Sequence, residues 1–504
     1  MRRYNLIDEK WIPVRYPDGT HAELGIRETL LMAKELGAIE DPSPLVTAAL
    51  YRFLLALIYR ALEGPTDIVE ARTFFREGFP RDRIEAYLEK WRDRFWLFDE
   101  KYPFGQNPHV PPDEIEPWTK LTAEHNATSN KVLFDHTATK YPEERSPKEC
   151  ARWLLSTMSF SIAGGRGYYP SPSPNAMLCI PLGPALHQTL SYCLVPQNEE
   201  VSRGDTALWE REPVDLPLGT PKRAALGYAD LLTWQSRMVL LEEEESGNVR
   251  KMRFIAGVGF ENPTANPDPM QPFKTDEKFG RLPVSFRGDR GTWRDFDSLL
   301  PDQGGLSPLT VQNAFQLAGK SSELLPSSML VLGLRYEPPN ANLDFWRMER
   351  YALPKTLRDD HAVRHEIRAL LDGVEKAQSA LWAASRSFAR DLLSRGDRLP
   401  DKKDIKAFVD QMLSTPLYWS TMESRFQEVL REYGLDRDPE DIRIQWLRWV
   451  AEALGAAWEQ HRASVFMGDA WTIRAVVKAE KFVGRKIAQI REEIEQQEPK
   501  KEEV

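Results

Sequence analysis

Cysteine is scarce in this chain: Cys150, Cys179 and Cys193 are the only three among 504 residues. Three is an odd number, the spacing is wide, and no CxxC pair exists. That argues against a disulfide framework and a structural zinc site, and it suits a reducing compartment. An excess of positive charge is missing as well, since the formal net charge is −9. A general nucleic-acid coater would be basic, so any polynucleotide contact must be local or supplied by a partner. Long unbroken hydrophobic runs are also lacking. No apolar stretch follows Met1-Arg-Arg-Tyr-Asn5 to make a signal peptide. The longest apolar run, Leu45 to Leu62, is interrupted by Thr47, Arg52 and Arg60. An arginine near the middle of a span points to a buried soluble helix. A cytoplasmic chain without membrane contact is the expectation.

Catalytic constellations are equally thin. There is no GxSxG elbow, no Walker loop and no Asp-rich metal motif. His361 and His365 are the only close pair among eight histidines, with Glu366 beside them. Without an HExxH pattern, and among Arg and Asp, they read as a solvated helix face rather than a metal site. Glu242 to Glu245 is a like-charge run beside Ser-Gly-Asn, hence a hairpin tip or loop. With so few nucleophile–base pairs, a binding protein with no cofactor and no metal is expected rather than an enzyme.

What the chain does contain is an ordinary globular composition, 41% apolar and 28% charged, with fifteen Trp for packing and interface anchors. The length suits two or three domains. Trp11-Ile-Pro-Val14 reads as a strand, and Tyr16-Pro-Asp-Gly19 as a turn. A helix follows near Ile26 to Leu36, then the buried helix with a polar stripe at Arg52 and Tyr59. From about 66 to 300 the text is irregular and proline-rich, with short strands such as Met177-Leu-Cys-Ile-Pro-Leu182 and Phe254-Ile-Ala-Gly-Val258. The fold class is α+β: a large mixed α/β domain over 1–357, then a C-terminal four-helix bundle over 358–504. The bundle is read from segments 358–396, 402–433, 440–464 and 467–497, with Pro416 kinking or splitting the second. Breaks fall at Gly396-Asp397, Gly434-Leu-Asp-Arg437 and Gly468-Asp469, where Gly and Asp suit turns and caps. The tail from Glu492 to Val504 is charged, lacks an apolar face and is expected to fray.

The most informative segment is Ser159-Phe-Ser-Ile-Ala-Gly-Gly-Arg-Gly-Tyr-Tyr-Pro170. It follows an amphipathic helix, roughly Pro147 to Phe160, with Trp153 and Leu154 on its packing side. Gly164, Gly165 and Gly167 bring no Cβ, so the backbone can approach a flat or crowded surface, with Arg166 among them. Such a loop can offer amides to phosphate or press into a nucleic-acid groove. A helix C-cap with a tight turn explains one of these glycines well and three poorly. Leu330-Val-Leu-Gly-Leu334 reads as a buried strand, and Phe345-Trp-Arg-Met-Glu-Arg350 returns as a charged, aromatic one. Between them, Pro338-Pro-Asn-Ala-Asn342 makes a tip carrying Asn340, Ala341 and Asn342, either a base-edge probe or a plain polar turn. In the last helix Arg474, Lys478, Lys481 and Arg485 share one face. They suit either solvent or a phosphate backbone.

Taken in order, these segments resemble a known family. Asn5-Leu-Ile-Asp-Glu-Lys-Trp-Ile-Pro-Val14 is similar to the opening of the large subunit of the type I-E CRISPR surveillance complex Cascade, the CasA family. Pro103-Phe-Gly-Gln106, Phe134-Asp-His136, Ala151-Arg-Trp-Leu-Leu155 leading to Gly-Gly-Arg-Gly, and Leu332-Gly-Leu to Arg350 continue the likeness over most of the chain. The resemblance implies a non-catalytic subunit that works with guide RNA and other Cascade subunits. It would check double-stranded target DNA for a protospacer-adjacent motif through the minor groove, and dock an effector helicase-nuclease. By position, Gly164, Gly165 and Gly167 match the family's glycine loop. Lys274 is the candidate for its lysine, and Asn340 falls where the family uses a glutamine wedge. Phe134, Asp135 and His136 fall in the loop used near the guide RNA. Two alternatives stay open on residues alone: a nucleotide- or phosphate-binding enzyme using the Gly164–Gly167 loop, or a purely architectural scaffold.

Overall fold

The computed structural model describes residues 2–125, 142–164, 167–214, 222–261, 267–288, 290–301, 306–319, 321, 324–337, 342–354, 356, 361–394, 399–435 and 437–497. Two compact units emerge: Met1–Thr292 with Ser298–Tyr351, and Trp293–Asp297 with Ala352–Val504.

The larger unit mixes helices and short sheets around one helix. That helix, Pro44–Leu62, starts where Ser43 accepts the Val46 amide at 3.1 Å and proline fills the first turn. Among the described residues it alone is long and apolar enough to cross a bilayer, and it lies inside the protein. Its polar stripe is therefore internal. Arg52, 1% exposed, pairs with Asp268, and the Tyr59 hydroxyl donates to Val195 O at 2.9 Å. Buried polar atoms that find partners avoid the full cost of desolvation.

The N-terminal strand forms as expected, Ile12–Arg15 pairing with His21–Leu24 across a turn closed by Gly19 at φ +90°. The expected helix at 26–36 is shorter, Ile26–Leu31. The carbonyls of Ala33 and Leu36 accept the His187 and Leu186 amides at 2.9 and 2.7 Å. They cap the distant helix Leu186–Cys193 rather than extend their own. The irregular region also holds the helices Ile68–Glu77, capped by Asp67, and Arg81–Lys90, which the proline-rich text hid. The glutamate run straddles a hairpin tip: Glu242 and Glu243 end the strand Arg237–Glu243, which pairs with Val249–Ala256, while Glu244 and Glu245 enter the tip, where Gly247 turns the chain at φ +82°. Another three-stranded sheet runs in the order Asn342–Ala352, Ser328–Glu337, Leu178–Leu182.

The smaller unit consists of helices, with Lys402–Asp410 and Ser414–Tyr433 replacing the single expected segment at 402–433. Pro416 lies in the first turn of the second of these, where its missing N–H costs little. The others are His361–Leu393, Pro439–Ser464 and Ala470–Gln497. Asp401, Asp438 and Asp469 accept amides of the following turn at 3.1, 2.9 and 2.8 Å. Tyr418 and Trp446 are buried, donating to Val374 O and Leu370 O at 3.0 and 3.1 Å. Two findings depart from expectation. Residues Trp293–Asp297 join this unit, Arg294 gripping Glu375 with two bonds of 2.8 Å and lying over Trp419. The tail also stays helical to Gln497, because Ile494 is buried and Arg443 donates to Gln497 at 3.0 Å.

Candidate nucleic-acid interface

The glycine loop hangs from a helix that is fixed at several points. Pro147–Phe160 opens with Glu149 accepting the Ser146 amide at 3.0 Å, one half of a capping box. Leu154 is buried, and Trp153 stacks on Trp118 with centroids 4.5 Å apart and planes at 11°. Arg152 ties the helix to the N-terminal hairpin through Trp11 O, at 2.7 Å, and Glu23. At its end the Ser161 hydroxyl folds back on Thr157 O at 2.6 Å. The returning chain binds beside it, the Ser171 amide donating to Ser161 O at 2.9 Å and its hydroxyl to Ser159 O at 2.7 Å.

Between these limbs the Gly164 amide donates to Tyr168 O at 3.2 Å, and Tyr169 donates to Gly167 O at 3.1 Å. Gly167 is exposed at φ +88°, with open space where a Cβ would point. Its need for glycine is thus conformational, not steric. Gly164 is half-buried. Gly165 and Arg166 lie outside the described residues.

Lys274 is exposed on the hairpin formed by Phe273–Asp276 and Gly280–Pro283, opposite Leu282. Asn342 opens the strand Asn342–Ala352, while Asn340 and Ala341 lie outside the described residues. So do Phe134, Asp135 and His136. On the returning strand Trp346 and Met348 face outward, 42% and 47% exposed. Arg335 reaches across to Asp344 at 3.3 Å and donates to Phe286 O at 2.9 Å.

Behind the loop lies a polar node that sequence reading only half caught. Asp268 accepts the Ser173 hydroxyl at 2.8 Å as well as Arg52, so the core helix grips the segment that leaves the loop. Arg52 was visible as an intruder in an apolar run, and such a charge requires a partner. The partner itself, between Pro267 and Pro269, carried no signal. Asn175 mimics a strand neighbour to Tyr336, its amide donating to Tyr336 O at 3.1 Å and its carbonyl accepting the Tyr336 N–H at 2.8 Å.

The three cysteines are buried, and burial pushes each thiol well above its ordinary pKa, which disfavours the reactive thiolate. His365 is exposed near the start of its helix. Among the described residues, no group of three His, Cys, Asp or Glu could hold a metal ion. Arg474, Lys478, Lys481 and Arg485 are all exposed, and Lys478 pairs with Asp391 at 2.7 Å.

Comparison with known proteins places this architecture. The family profile of CRISPR-associated protein Cse1 matches residues 5–457. A CRISPR-associated protein CasA/Cse1 from Thermus thermophilus is 32% identical over 98% of this chain and 99% of its own length. The crystal structure of Thermus thermophilus CasA superposes with a TM-score of 0.84 at 30% identity, covering 97% of this chain and 100% of that one. A chain of a solved CRISPR RNA-guided surveillance complex shares the fold, with a TM-score of 0.73 at 19% identity over 96% of this chain and 100% of that one. The chain belongs to the CRISPR-associated Cse1 (CasA) family.

Proposed function

We propose that this chain is the large, non-catalytic subunit of a guide-RNA surveillance complex, and that it reads the protospacer-adjacent motif of incoming duplex DNA through the minor groove. The observation that carries the reading is a glycine turn with Gly167 exposed on a hydrogen-bonded root, in a chain of the Cse1 family. Gly164, Gly165 and Gly167 present backbone to the groove floor, and Arg166 and Lys274 add positive charge. Asn340, with Ala341 and Asn342, touches a base edge and helps part the strands. Phe134, Asp135 and His136 contact the guide RNA or a neighbouring subunit, and another surface docks the helicase-nuclease. An acidic chain performs this task when guide and partners supply most of the affinity and its own contacts supply selectivity. Minor-groove readout is degenerate, so several related motifs should be accepted.

Replacing Gly165 by Asp in the assembled complex puts a carboxylate where the phosphate-lined groove must approach. Affinity for motif-bearing duplex should fall by about tenfold or more, roughly 1.4 kcal/mol. Unchanged binding would overturn the reading. Asn340→Ala should slow strand opening while guide-complex assembly proceeds; the reverse pattern would reassign that tip to subunit contact.

A further inference from the structure

One side chain that carries no motif joins the two limbs of the glycine loop. Arg237, at the start of its strand and 8% exposed, donates to Tyr169 O at 2.5 Å on the outgoing limb and to Ile162 O on the incoming one. It also donates to Ser236 O at 2.8 Å and lies 5.0 Å from the Tyr168 ring centroid. Among the described residues no carboxylate forms an ion pair with it. Burial, opposed only by Tyr168 and Tyr336, pulls its pKa down to about 10. A buried cation without a counter-charge is costly. What it gains here is a planar fork of donors that spans carbonyls on separate segments at a fixed spacing.

Tyr336 extends the same cluster. It is buried one residue before the end of strand Ser328–Glu337, in the core cluster against which Ile162, Ala163 and Tyr168 pack, and Asn175 holds its own backbone. Ala163 adjoins Gly164, and in sequence the strand ends three residues before Asn340.

We infer that Arg237 is a positioning residue: it sets the spacing of the loop's two limbs and, with Tyr336, joins them to the strand that carries the Asn340 tip. The two limbs and the strand Ser328–Glu337 then keep one spacing when a duplex is met. This rests on the motif-reading role proposed above. Because partners and phosphate contacts supply most of the affinity, loss of placement should show in discrimination between duplexes rather than in assembly.

The test uses Arg237→Met, Arg237→Lys, Tyr336→Phe and Gly165→Asp chains in the assembled complex. Affinity is measured for a motif-bearing duplex and for one with the motif replaced, and the ratio is compared. Amide exchange at Gly164, Tyr169 and Ser171 is followed in parallel. Arg237→Met should lower the ratio roughly tenfold and speed exchange at these amides. Arg237→Lys should recover part of both, and Tyr336→Phe should lower the ratio by a smaller factor. An unchanged ratio in an assembled Arg237→Met complex overturns the proposal. If that variant fails to assemble, an unchanged ratio in Tyr336→Phe overturns it instead. If Gly165→Asp keeps full discrimination, the groove reading itself falls and this inference with it. If Gly165→Asp loses discrimination while the Arg237 and Tyr336 variants keep it, only the positioning role falls.

Discussion

The two units satisfy their polar groups by different means. In the helical unit many free amides are closed by the residue just before them: Asp401, Asp438 and Asp469 each cap the helix they precede. In the larger unit the interior contacts join segments far apart in the chain. Arg52 pairs with Asp268, Gln106 accepts the Leu241 amide at 2.8 Å, and the Asn313 amide serves three carbonyls at Ser191, Tyr192 and Leu194. A local cap can be replaced by water when it is lost. A buried long-range partner cannot, so the larger unit depends on individual side chains where the helical unit depends more on pattern.

The sharpest test of that contrast is Asp268→Ala, which leaves Arg52 charged and alone inside the protein. Stability of the larger unit should drop by about 3–5 kcal/mol, read from denaturant unfolding. Asp438→Ala in the helical unit removes only a cap and should cost about 1 kcal/mol. Equal losses at the two sites would dissolve the distinction.

Acid should separate the units next. Burial pulls the His187 pKa below its ordinary value, opposed by its hydrogen bond to Phe75 O, and burial alone pulls His461 down. A depressed folded pKa means that the unfolded chain takes the proton first. The stability contribution is therefore complete above about pH 6.5 and is lost as pH falls from there toward the folded value. Each histidine can contribute a slope of at most about 1.4 kcal/mol per pH unit. His187→Gln should flatten the pH 7 to 5 decline of the larger unit alone, and His461→Phe that of the helical unit alone. A decline that persists in both variants would locate the acid sensitivity elsewhere.

Much of the helical unit was legible because its signals are local: a 3.6-residue apolar period, aspartates before helices, and Gly434 after one. What failed there was non-local. Nothing in Trp293–Asp297 announces that Arg294 will grip Glu375, and Ile494 alone was too little to read as an apolar face. In the larger unit the hairpin at Glu242–Glu245 was legible from Ser-Gly-Asn, and Gly167 from its place after a helix. Arg237 was not, because its partners are backbone carbonyls, which any residue type supplies. The ordered family motifs located the loop; what holds it is visible only in three dimensions.

The smallest expected effect concerns the basic face of Ala470–Gln497. Arg474, Lys481 and Arg485 are exposed, and in sequence they suit either solvent or a phosphate backbone. If motif reading belongs to the larger unit, replacing all three by Gln should leave the ratio between motif-bearing and motif-replaced duplex unchanged. The salt dependence separates the remaining possibilities. Each phosphate contact adds about 0.9 to the slope of log K against log salt, so three lost contacts would lower it by nearly three units. A slope that holds keeps the face in solvent and leaves the unit's contribution architectural. A slope that falls with the ratio intact would make the helical unit a sequence-blind clamp on the backbone, while the glycine loop does the reading. Only a fall in the ratio itself would move recognition out of the larger unit and erase the division of labour between the two.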